Sequence, residues 1–281
     1  MITVRLNGGL GNQMFQYAMA KALASHNNTK LVLDTNEFDT YDLRDLELDK
    51  YNIKAEVINK NYVLKKIIKK LRLDKLFPTY YVEKSLKYDS NIKDLNNDIY
   101  LEGYFQNERY FLDIRDELLK DFTIKDSLSS YTQQIEKEIF DEDVSVSLHI
   151  RRGDYISDTN TNNVHGTCDL EYYKKAMNLM KGKYNNIKYF IFSDDISWVK
   201  DNLKILNAIY IDSKEKRIPH EDIYLMSLCS HNIIANSSFS WWGAWLNRNN
   251  DKVVIAPERW FIDEKMYEQS SEIVSKSWLK I

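Results

Sequence analysis

The chain has 281 residues, with 39 Lys and Arg against 42 Asp and Glu and a formal net charge of -3. This length predicts two domains, each large enough to bury its own core. The near-neutral balance provides no global field for nucleic acid or another polyanion, so any phosphate site must be local. Cys168 and Cys229 lie too far apart for a paired-ligand motif, which argues against zinc and against a disulfide framework and favours a reducing compartment.

The sequence also predicts a cytoplasmic protein that begins at Met1. The opening segment, MITVRLNGGLGNQ, lacks the basic and apolar parts of a secretory signal. No stretch reaches the roughly 18 consecutive apolar residues that a membrane span requires.

Strands alternate with helices along the chain, without internal repeats, which predicts an α/β protein. The predicted elements are a strand at 2–6, a helix at 12–28, strands at 30–34 and within 98–106, two polar helices within 107–140, strands at 144–150 and 188–193, a helix about ISWVKDNL, a strand at 208–212, a helix at EDIYLMSLCS, a strand at 232–236, a helix at SFSWWGAWL and a strand at 253–256. We place the domain boundary near residue 140. The β-α rhythm favours parallel sheets, in which ligands bind beyond the carboxyl ends of the strands.

The first turn of interest is NGGLGNQ (7–13), between a strand and a helix. Free backbone amides at a helix start, with glycines that admit a ligand, predict an anion site. The motif departs from G-x-G-x-x-G because Met14 occupies the third glycine position, although Asp34 ends the second strand as a ribose-binding acid would. The alternative is a turn that merely needs glycine.

The second turn is HIRRGDY (149–155), where Arg151, Arg152 and Asp154 follow a strand. Apolar residues alternate along that strand, so His149 and two serines lie on its other face. A guanidinium group suits phosphate because its planar fork donates paired hydrogen bonds and stays charged. The alternative is a surface Arg–Asp ion pair, which contributes only about 0–1 kcal/mol.

The third turn, NSSFSWWGAWL (236–246), again joins a strand to a helix. Its first residues, Asn236, Ser237 and Ser238, are typical of a helix cap and could direct amides and hydroxyls at a phosphate. Its apolar residues at helical spacing, Phe239 among them, are expected to face the core.

Another strand ends in FSDD (192–195). Asp194 or Asp195 is a candidate acceptor of hydrogen bonds from a base or a ribose. The alternative is that these aspartates simply start a helix.

Taken together, GGLGNQMFQYA, HIRRGDY, FSDD and IIANSSFSWWGAWL resemble, in order and separation, the α-1,2-fucosyltransferases of glycosyltransferase family 11. The segments LEGYFQNERYF and DIYLMSLC match as well. The H-x-R-R-x-D element is similar to one shared with α-1,6- and protein O-fucosyltransferases. The tryptophan-rich element narrows the resemblance to the α-1,2 family. The resemblance implies a GT-B fold of two facing Rossmann-like domains with mainly parallel sheets, GDP-β-L-fucose as donor, a terminal galactose as acceptor, inversion, and no obligatory metal or other cofactor.

The resemblance also assigns residues. Residues 1–140 would form the acceptor side and residues 141–281 the GDP-fucose-binding domain. The arginines would hold the diphosphate, while His149 and one of the two aspartates would contact guanine. The implied donor-binding residues are His149, Arg151, Arg152, Asp194, Asp195, Asn236, Ser237, Ser238, Phe239, Gly9, Gly11 and Asn12.

The implied mechanism is a single displacement in which an acceptor hydroxyl attacks C1 of fucose opposite the leaving diphosphate. Arg152 would stabilise the departing charge and Asp154 is the candidate general base. Nearby arginines lower the proton affinity of a carboxylate, so Asp154 could instead position Arg152. Alternative bases are Glu102, Glu221 and Asp222.

A metal-dependent transferase would need an acid-x-acid motif, and the sequence DED (141–143) matches one formally. It precedes its strand, at the wrong end for the site. We therefore expect it to be exposed to solvent, with fixed cations and helix starts neutralising the diphosphate instead.

Two further classes remain open beside a fucosyltransferase of another linkage or acceptor. A nicotinamide-dependent oxidoreductase could use the first βαβ unit and Asp34. A non-catalytic carbohydrate-binding protein could stack sugars on some of the six Trp and nineteen Tyr.

Residues 60–75 contain seven basic residues and one acid, with apolar residues on one helical face. This is typical of a surface helix that covers the core. The alternative is peripheral docking to an anionic membrane that carries a lipid-linked glycan acceptor, at the inner face. With the resemblance, this suggests bacterial surface-glycan assembly, with GDP-fucose and a galactose-terminated oligosaccharide or lipid-linked glycan as partners and no nucleic acid.

Overall fold

A computed structural model provides the structure of the chain. It describes residues 1–39, 45–58, 79–152, 164–212 and 218–281. These residues form two compact units, Met1–Lys125 and Asp126–Ile281, and every strand pair within their two sheets is parallel. No helix in this part of the chain has the length and apolar composition to cross a membrane.

The first unit contains a five-stranded sheet in the order β3-β2-β1-β5-β4. Its central strand is apolar and fully shielded at Ile2 and Val4, because the first helix packs directly against it. The elements of this unit are β1 (Ile2–Arg5), α1 (Leu10–His26), β2 (Leu31–Asp34), β3 (Glu56–Ile58), β4 (Thr79–Val82), β5 (Ile99–Glu102) and α2 (Arg115–Asp121).

The second unit contains a six-stranded sheet in the order β11-β10-β9-β6-β7-β8. Counted from its own first strand, this is the order 3-2-1-4-5-6 read from the other edge, the doubly wound arrangement of a Rossmann unit. Its elements are α3 (Ser130–Phe140), β6 (Val144–Ile150), α4 (Leu170–Lys183), β7 (Ile187–Ser193), α5 (Ile196–Asn202), β8 (Ala208–Tyr210), α6 (Pro219–Leu228), β9 (His231–Ile233), α7 (Ser238–Leu246), β10 (Val254–Ala256), α8 (Glu264–Gln269) and β11 (Leu279–Lys280).

The boundary between the units lies between Lys125 and Asp126, before α3, and not near residue 140. Helix α3 joins the second unit because Glu221 of α6 accepts hydrogen bonds from the Ser129 backbone and hydroxyl at 2.8 and 2.6 Å. The Thr132 hydroxyl donates to the same carboxylate at 2.6 Å. The polar sequence of α3 therefore gives no sign of the Glu221 hydrogen bonds that assign this helix to the second unit.

Most predicted elements are present, and the differences have physical reasons. Strands β3 and β4 have exposed side chains and flank the first sheet, so they carry no apolar alternation. Strand β6 is buried on both faces, because it is central in its sheet and helices cover a parallel sheet on each side. One of its polar residues, Ser147, accepts a hydrogen bond from the Asn232 amide at 2.7 Å.

Helix α7 differs from the expectation of a single core-facing stripe. Trp241, Trp242 and Trp245 are all buried, whereas Phe239 is partly exposed. The helix is enclosed because it packs on α6 and because the Trp241 indole donates to the Ile273 carbonyl at 2.8 Å.

Candidate functional site

The carboxyl edge of the second sheet brings together the predicted donor residues of the second unit. Strand β6 lies between β7 and β9, so the turns that follow these three strands are neighbours. Sheet order reverses between β6 and β9, and ligands of doubly wound folds bind at such a switch point. The arginine turn follows β6 and the serine turn follows β9, so the strand order itself places both at that point.

Arg151 and Arg152 are fixed by a carboxylate from the next strand. Asp194 accepts a hydrogen bond from the Arg152 backbone N–H at 2.9 Å, and its second oxygen lies 2.9 Å from Arg151 Nη1. The Asp194 side chain is only 16% exposed, so this ion pair is largely shielded from solvent. Asp194 thus holds the guanidinium of Arg151 and the backbone of Arg152 at the same carboxylate.

Arg152 is held by a different set of contacts. Its guanidinium carbon lies 3.4 Å from the centroid of the Trp198 ring, within the range of a cation–π interaction. Its Nε lies 3.8 Å from Asp195 Oδ2. Asp195 is also the N-cap of α5, where it accepts a hydrogen bond from the Trp198 N–H at 3.0 Å.

Both aspartates of FSDD are therefore engaged within the protein. Asp194 binds the arginines and Asp195 starts a helix, which is the alternative that the sequence left open. Their contact with guanine stays a prediction, since each carboxylate has two oxygens that accept more than one hydrogen bond.

His149 occupies the end of β6 and is 1% exposed. Its ring faces Phe239 at the start of α7, with 5.6 Å between the ring centroids. This contact joins the arginine turn to the serine turn. Guanine binding by His149 and donor binding by Phe239 stay predictions.

The start of α7 is a side-chain-capped helix terminus. The Ser237 hydroxyl accepts a hydrogen bond from the Phe239 N–H at 3.3 Å. Ser238 is the first helical residue, and first-turn amides lack partners within a helix. Such a terminus suits an anionic oxygen, as the sequence predicted, and a role for Ser237 and Ser238 in donor binding stays a prediction.

Asn236 has a structural role that the sequence does not indicate. Its side-chain amide lies 3.0, 3.2 and 3.1 Å from the carbonyls of His165, Gly166 and Trp260. The Cys168 thiol donates to its oxygen at 3.5 Å. Because its amide is occupied in this way, Asn236 holds the loop beside the site. A role for Asn236 in donor binding stays a prediction.

The same loop carries a residue that the sequence analysis missed. His165 is half-buried, and its ring lies tilted against Phe261 with 4.9 Å between the ring centroids. Burial lowers the pKa of His165, and the nearby positive charge of Arg151 lowers it further. Both effects favour the neutral imidazole, which lies near the arginine turn. The available sign of this loop in the sequence is the glycine after His165, Gly166, which adopts a φ of +61°.

In the first unit, the glycine-rich turn starts α1 as predicted, but the glycines differ in importance. Gly9 is the N-cap with an ordinary extended backbone, and Gly11 is buried in the first turn. Gly8 has a φ of +73°, and a Cβ there would lie 2.8 Å from Asn12 Nδ2. Gly8 is therefore the glycine of this turn whose backbone conformation favours glycine over other residues. Roles for Gly9, Gly11 and Asn12 in donor binding stay predictions.

Two buried glutamines organise this edge of the first sheet, and the sequence analysis missed both. Gln13 donates to the Gly8 carbonyl and accepts from the Glu47 N–H, at 2.9 and 3.0 Å. Gln16 donates to the Gly103 carbonyl at 3.1 Å, so it ties the turn after β1 to the turn after β5. Both lie within an apolar helix pattern, where a buried polar residue is the available signal.

Asp34 does not present a free carboxylate for a ribose. It is 3% exposed and accepts hydrogen bonds from the Tyr100 hydroxyl at 2.6 Å and the Asn36 N–H at 3.2 Å. This removes the support that Asp34 gave to a dinucleotide-binding site in the first unit.

The alternative general bases are also placed. Glu102 pairs with Arg5 at 2.6 Å, and Glu221 is the carboxylate that joins α3 to α6. Asp222 is buried on α6. Asp154, the preferred candidate, lies outside the described residues.

The acid-x-acid segment lies before β6, at the opposite end of the strand from the arginines. Asp141 and Asp143 are exposed, and Glu142 lies 3.8 Å from Lys188 Nζ. Over the described ranges, no three His, Cys, Asp or Glu side chains form a metal-ligating cluster.

Comparison with known proteins supplies an independent line of evidence. A family model described as Glycosyl transferase family 11 matches residues 1–281. An Escherichia coli alpha-1,2-colitosyltransferase is 36% identical, over 100% of this chain and 99% of the relative. A Mus musculus galactoside 2-alpha-L-fucosyltransferase, Sec1, is 23% identical over 91% of this chain and 67% of its own length.

Among solved structures, the fucosyltransferase NodZ from Bradyrhizobium superposes with a TM-score of 0.51 at 13% identity, covering 86% of this chain and 91% of NodZ. This confirms the expected fold class, an α/β protein of the GT-B type with two Rossmann-like units and mainly parallel sheets. The family model spans the whole sequence, and a relative of matching length shares more than a third of its residues. The chain therefore belongs to glycosyltransferase family 11.

Proposed function

We propose that this enzyme transfers L-fucose from GDP-β-L-fucose to the 2-hydroxyl of a terminal galactose, with inversion and without an obligatory metal ion. The acceptor is a galactose-terminated oligosaccharide or lipid-linked glycan of the bacterial cell surface, and the enzyme acts in the cytoplasm. The motif resemblance and the similarity to a galactoside 2-alpha-L-fucosyltransferase support the proposal.

The observation that carries the proposal is the placement of Arg151 and Arg152. They lie at the switch point of the second sheet, where Asp194 binds the Arg151 guanidinium and the Arg152 backbone N–H, each at 2.9 Å. A departing GDP gains negative charge, and preoriented guanidinium groups and helix amides stabilise such charge without reorganising. These groups supply the positive charge that a divalent metal ion would otherwise supply, which supports the metal-free proposal.

The proposed reaction is one in-line displacement at C1 of fucose, with Asp154 as the base that accepts the proton of the acceptor hydroxyl. The engagement of Glu102 with Arg5 and of Glu221 with α3 supports Asp154 over these alternatives. An Asp154→Asn variant should bind GDP normally and lose about 100-fold or more in kcat. Retention of most of the turnover would remove Asp154 from the catalytic role.

The deciding experiment incubates the enzyme with GDP-fucose and a panel of β-galactosides in EDTA and determines the product linkage by NMR. We expect an α-1,2-fucoside at an undiminished rate. Loss of turnover under chelation would contradict the metal-free mechanism, and absence of fucosyl transfer would overturn the proposal. Arg151→Ala and Arg152→Ala should weaken GDP binding, whereas Lys174→Ala removes an exposed cation of the same unit and should not.

One observation makes GDP-colitose a second candidate donor: the chain is 36% identical to an alpha-1,2-colitosyltransferase. Colitose lacks one hydroxyl of fucose, and a site built to hydrogen-bond that hydroxyl rejects the deoxy analogue by about 10⁴-fold or more. Competition between GDP-fucose and GDP-colitose therefore separates the two donors. We expect fucose to be preferred, and a preference for colitose would reassign the donor while leaving the GDP site in place.

Peripheral membrane contact through residues 60–75 is a separate proposal, on a segment outside the described residues. Seven basic residues and an apolar face support it. Retention on anionic vesicles should disappear when Lys65, Lys66, Lys69 and Lys70 become Gln. Equal retention of both proteins would leave the segment as an ordinary surface helix.

A further inference from the structure

The contacts of Arg152 point to an additional residue in diphosphate recognition. The face of the guanidinium lies on the indole ring of Trp198, at 3.4 Å from carbon to centroid, and the arginine side chain is 20% exposed. Stacking occupies one flat face of the guanidinium and leaves its N–H groups, which lie in the guanidinium plane, at its edge. The contact therefore restricts the directions in which the hydrogen-bonding edge of Arg152 can face.

The platform is itself held in place by the turn that follows β7. Asp195 accepts the Trp198 N–H at 3.0 Å, and the Asp195 N–H donates to the Ser193 hydroxyl at 3.0 Å. The same carboxylate lies 3.8 Å from Arg152 Nε. The helix cap, the aromatic ring and the arginine thus form one connected group, in which Arg152 lies more than 40 positions from the other two in sequence.

Arg152 keeps hydrogen-bonding capacity in this arrangement. Within the described part of the chain, no side chain or carbonyl accepts a hydrogen bond from its guanidinium, and its Nε is buried without an acceptor. Arg151 differs, because its guanidinium is paired with Asp194 at 2.9 Å. An arginine held by stacking and by a carboxylate beyond hydrogen-bond distance is suited to donate to an incoming anion.

We propose that Trp198 is a positioning residue, which acts through Arg152 to present a guanidinium edge to the diphosphate of the sugar-nucleotide donor. The inference rests on the proposed function, because it takes a nucleoside diphosphate as the ligand of this site. Trp198 also packs against the core of the second unit. The test must therefore separate a loss of direction from a loss of packing.

Three substitutions make that separation. Trp198→Phe keeps an aromatic face, Trp198→Leu keeps apolar volume without one, and Arg152→Ala removes the group through which Trp198 is proposed to act. GDP dissociation constants are measured by calorimetry, with kcat and KM for GDP-fucose and thermal midpoints for each protein. Tyr184→Leu serves as a control: it removes a ring under Lys183, at 5.4 Å, at the opposite edge of the sheet.

We expect Trp198→Leu to weaken GDP binding about 3- to 30-fold and to raise KM for the donor, with Trp198→Phe recovering most of the loss. In an Arg152→Ala background the Leu substitution should have no further effect on GDP affinity. Tyr184→Leu should change the thermal midpoint at most, with GDP affinity as in the wild type.

Two results would overturn the inference separately from the proposed function. If the wild-type enzyme binds GDP and Trp198→Leu binds it equally well, Trp198 has no positioning role. If Trp198→Leu weakens GDP binding as much without Arg152 as with it, the effect does not pass through Arg152. A folded wild-type enzyme that binds no GDP overturns the proposed function and removes the basis of the inference with it.

Discussion

Single residues at the carboxyl edge of the second sheet are fixed by partners that are distant in sequence. Asn236 illustrates this, because its side chain holds three backbone carbonyls from two other segments. The sequence identifies a polar residue at a strand end, which is correct chemistry. It does not indicate the loop that the side chain holds, because nothing local to the NSS turn reveals that loop.

Replacing Asn236 with Ala should lower the free energy of unfolding by about 1–3 kcal/mol, since it leaves buried carbonyls without donors. Urea denaturation followed by tryptophan fluorescence measures the change. Asn249→Ala is the matched control: that amide donates to one carbonyl at 3.0 Å at an exposed position, so its loss should cost less. Equal costs at the two positions would contradict the role given to Asn236.

At the scale of elements, α7 lies close to α6 because Gly243 faces Met226. A Cβ at Gly243 would lie 2.7 Å from Met226 Cβ, closer than real Cβ contacts. Trp241 and Trp242 flank this contact and are fully buried, so the helix has no room to move away.

Gly243→Ala should therefore destabilise the protein by about 1–3 kcal/mol through overpacking. Gly182→Ala makes the same chemical change in α4, where a Cβ would meet nothing within 4 Å. It should stabilise by about 0.5–1 kcal/mol, because alanine is the better helix former. Thermal midpoints of the two variants should move in opposite directions, and a shift in the same direction would refute this account of the helix pair.

The α3–α6 contact predicts a dependence of stability on pH. Burial alone would raise the pKa of Glu221, but hydrogen bonds from Ser129 and Thr132 outweigh it and hold the pKa below its ordinary value of 4.5. A lowered folded pKa means that the stabilisation is present above the unfolded value and is lost as pH falls through the folded one.

Glu221→Gln should thus reduce the free energy of unfolding at pH 7 by about 1–3 kcal/mol and by less below pH 4.5. Urea titrations at several pH values test this. Glu138→Gln, on the accessible side of α3, should leave the pH profile unchanged. A constant difference between the Glu221 variant and the wild type at every pH would contradict the assignment.

At the scale of the whole molecule, the boundary between the two units follows the tertiary contacts of α3 and not the change from polar to apolar sequence after it. Helix α3 is polar overall, yet Thr132, Ile135 and Ile139 are buried in the second unit. A fragment of residues 126–281 should unfold cooperatively in urea, whereas residues 141–281 should lose at least about 3 kcal/mol, because two isoleucine sites and the Glu221 hydrogen bonds are gone. Equal midpoints for the two fragments would place α3 outside this unit.

The sequence by itself determined the α/β class, the family and the turns that carry chemistry. Each of these depends on local patterns: periodicity sets strands and helices, and motifs such as HIRRGDY and NSSFSWWGAWL lie at strand ends. Only the tertiary structure decided which turns meet and which side chains bind each other. The strand order places β6 beside both β7 and β9, and this brings Asp194 to Arg152 across 42 positions. That pairing depends on sheet order, and sheet order follows from the packing of the whole unit, which no short segment encodes.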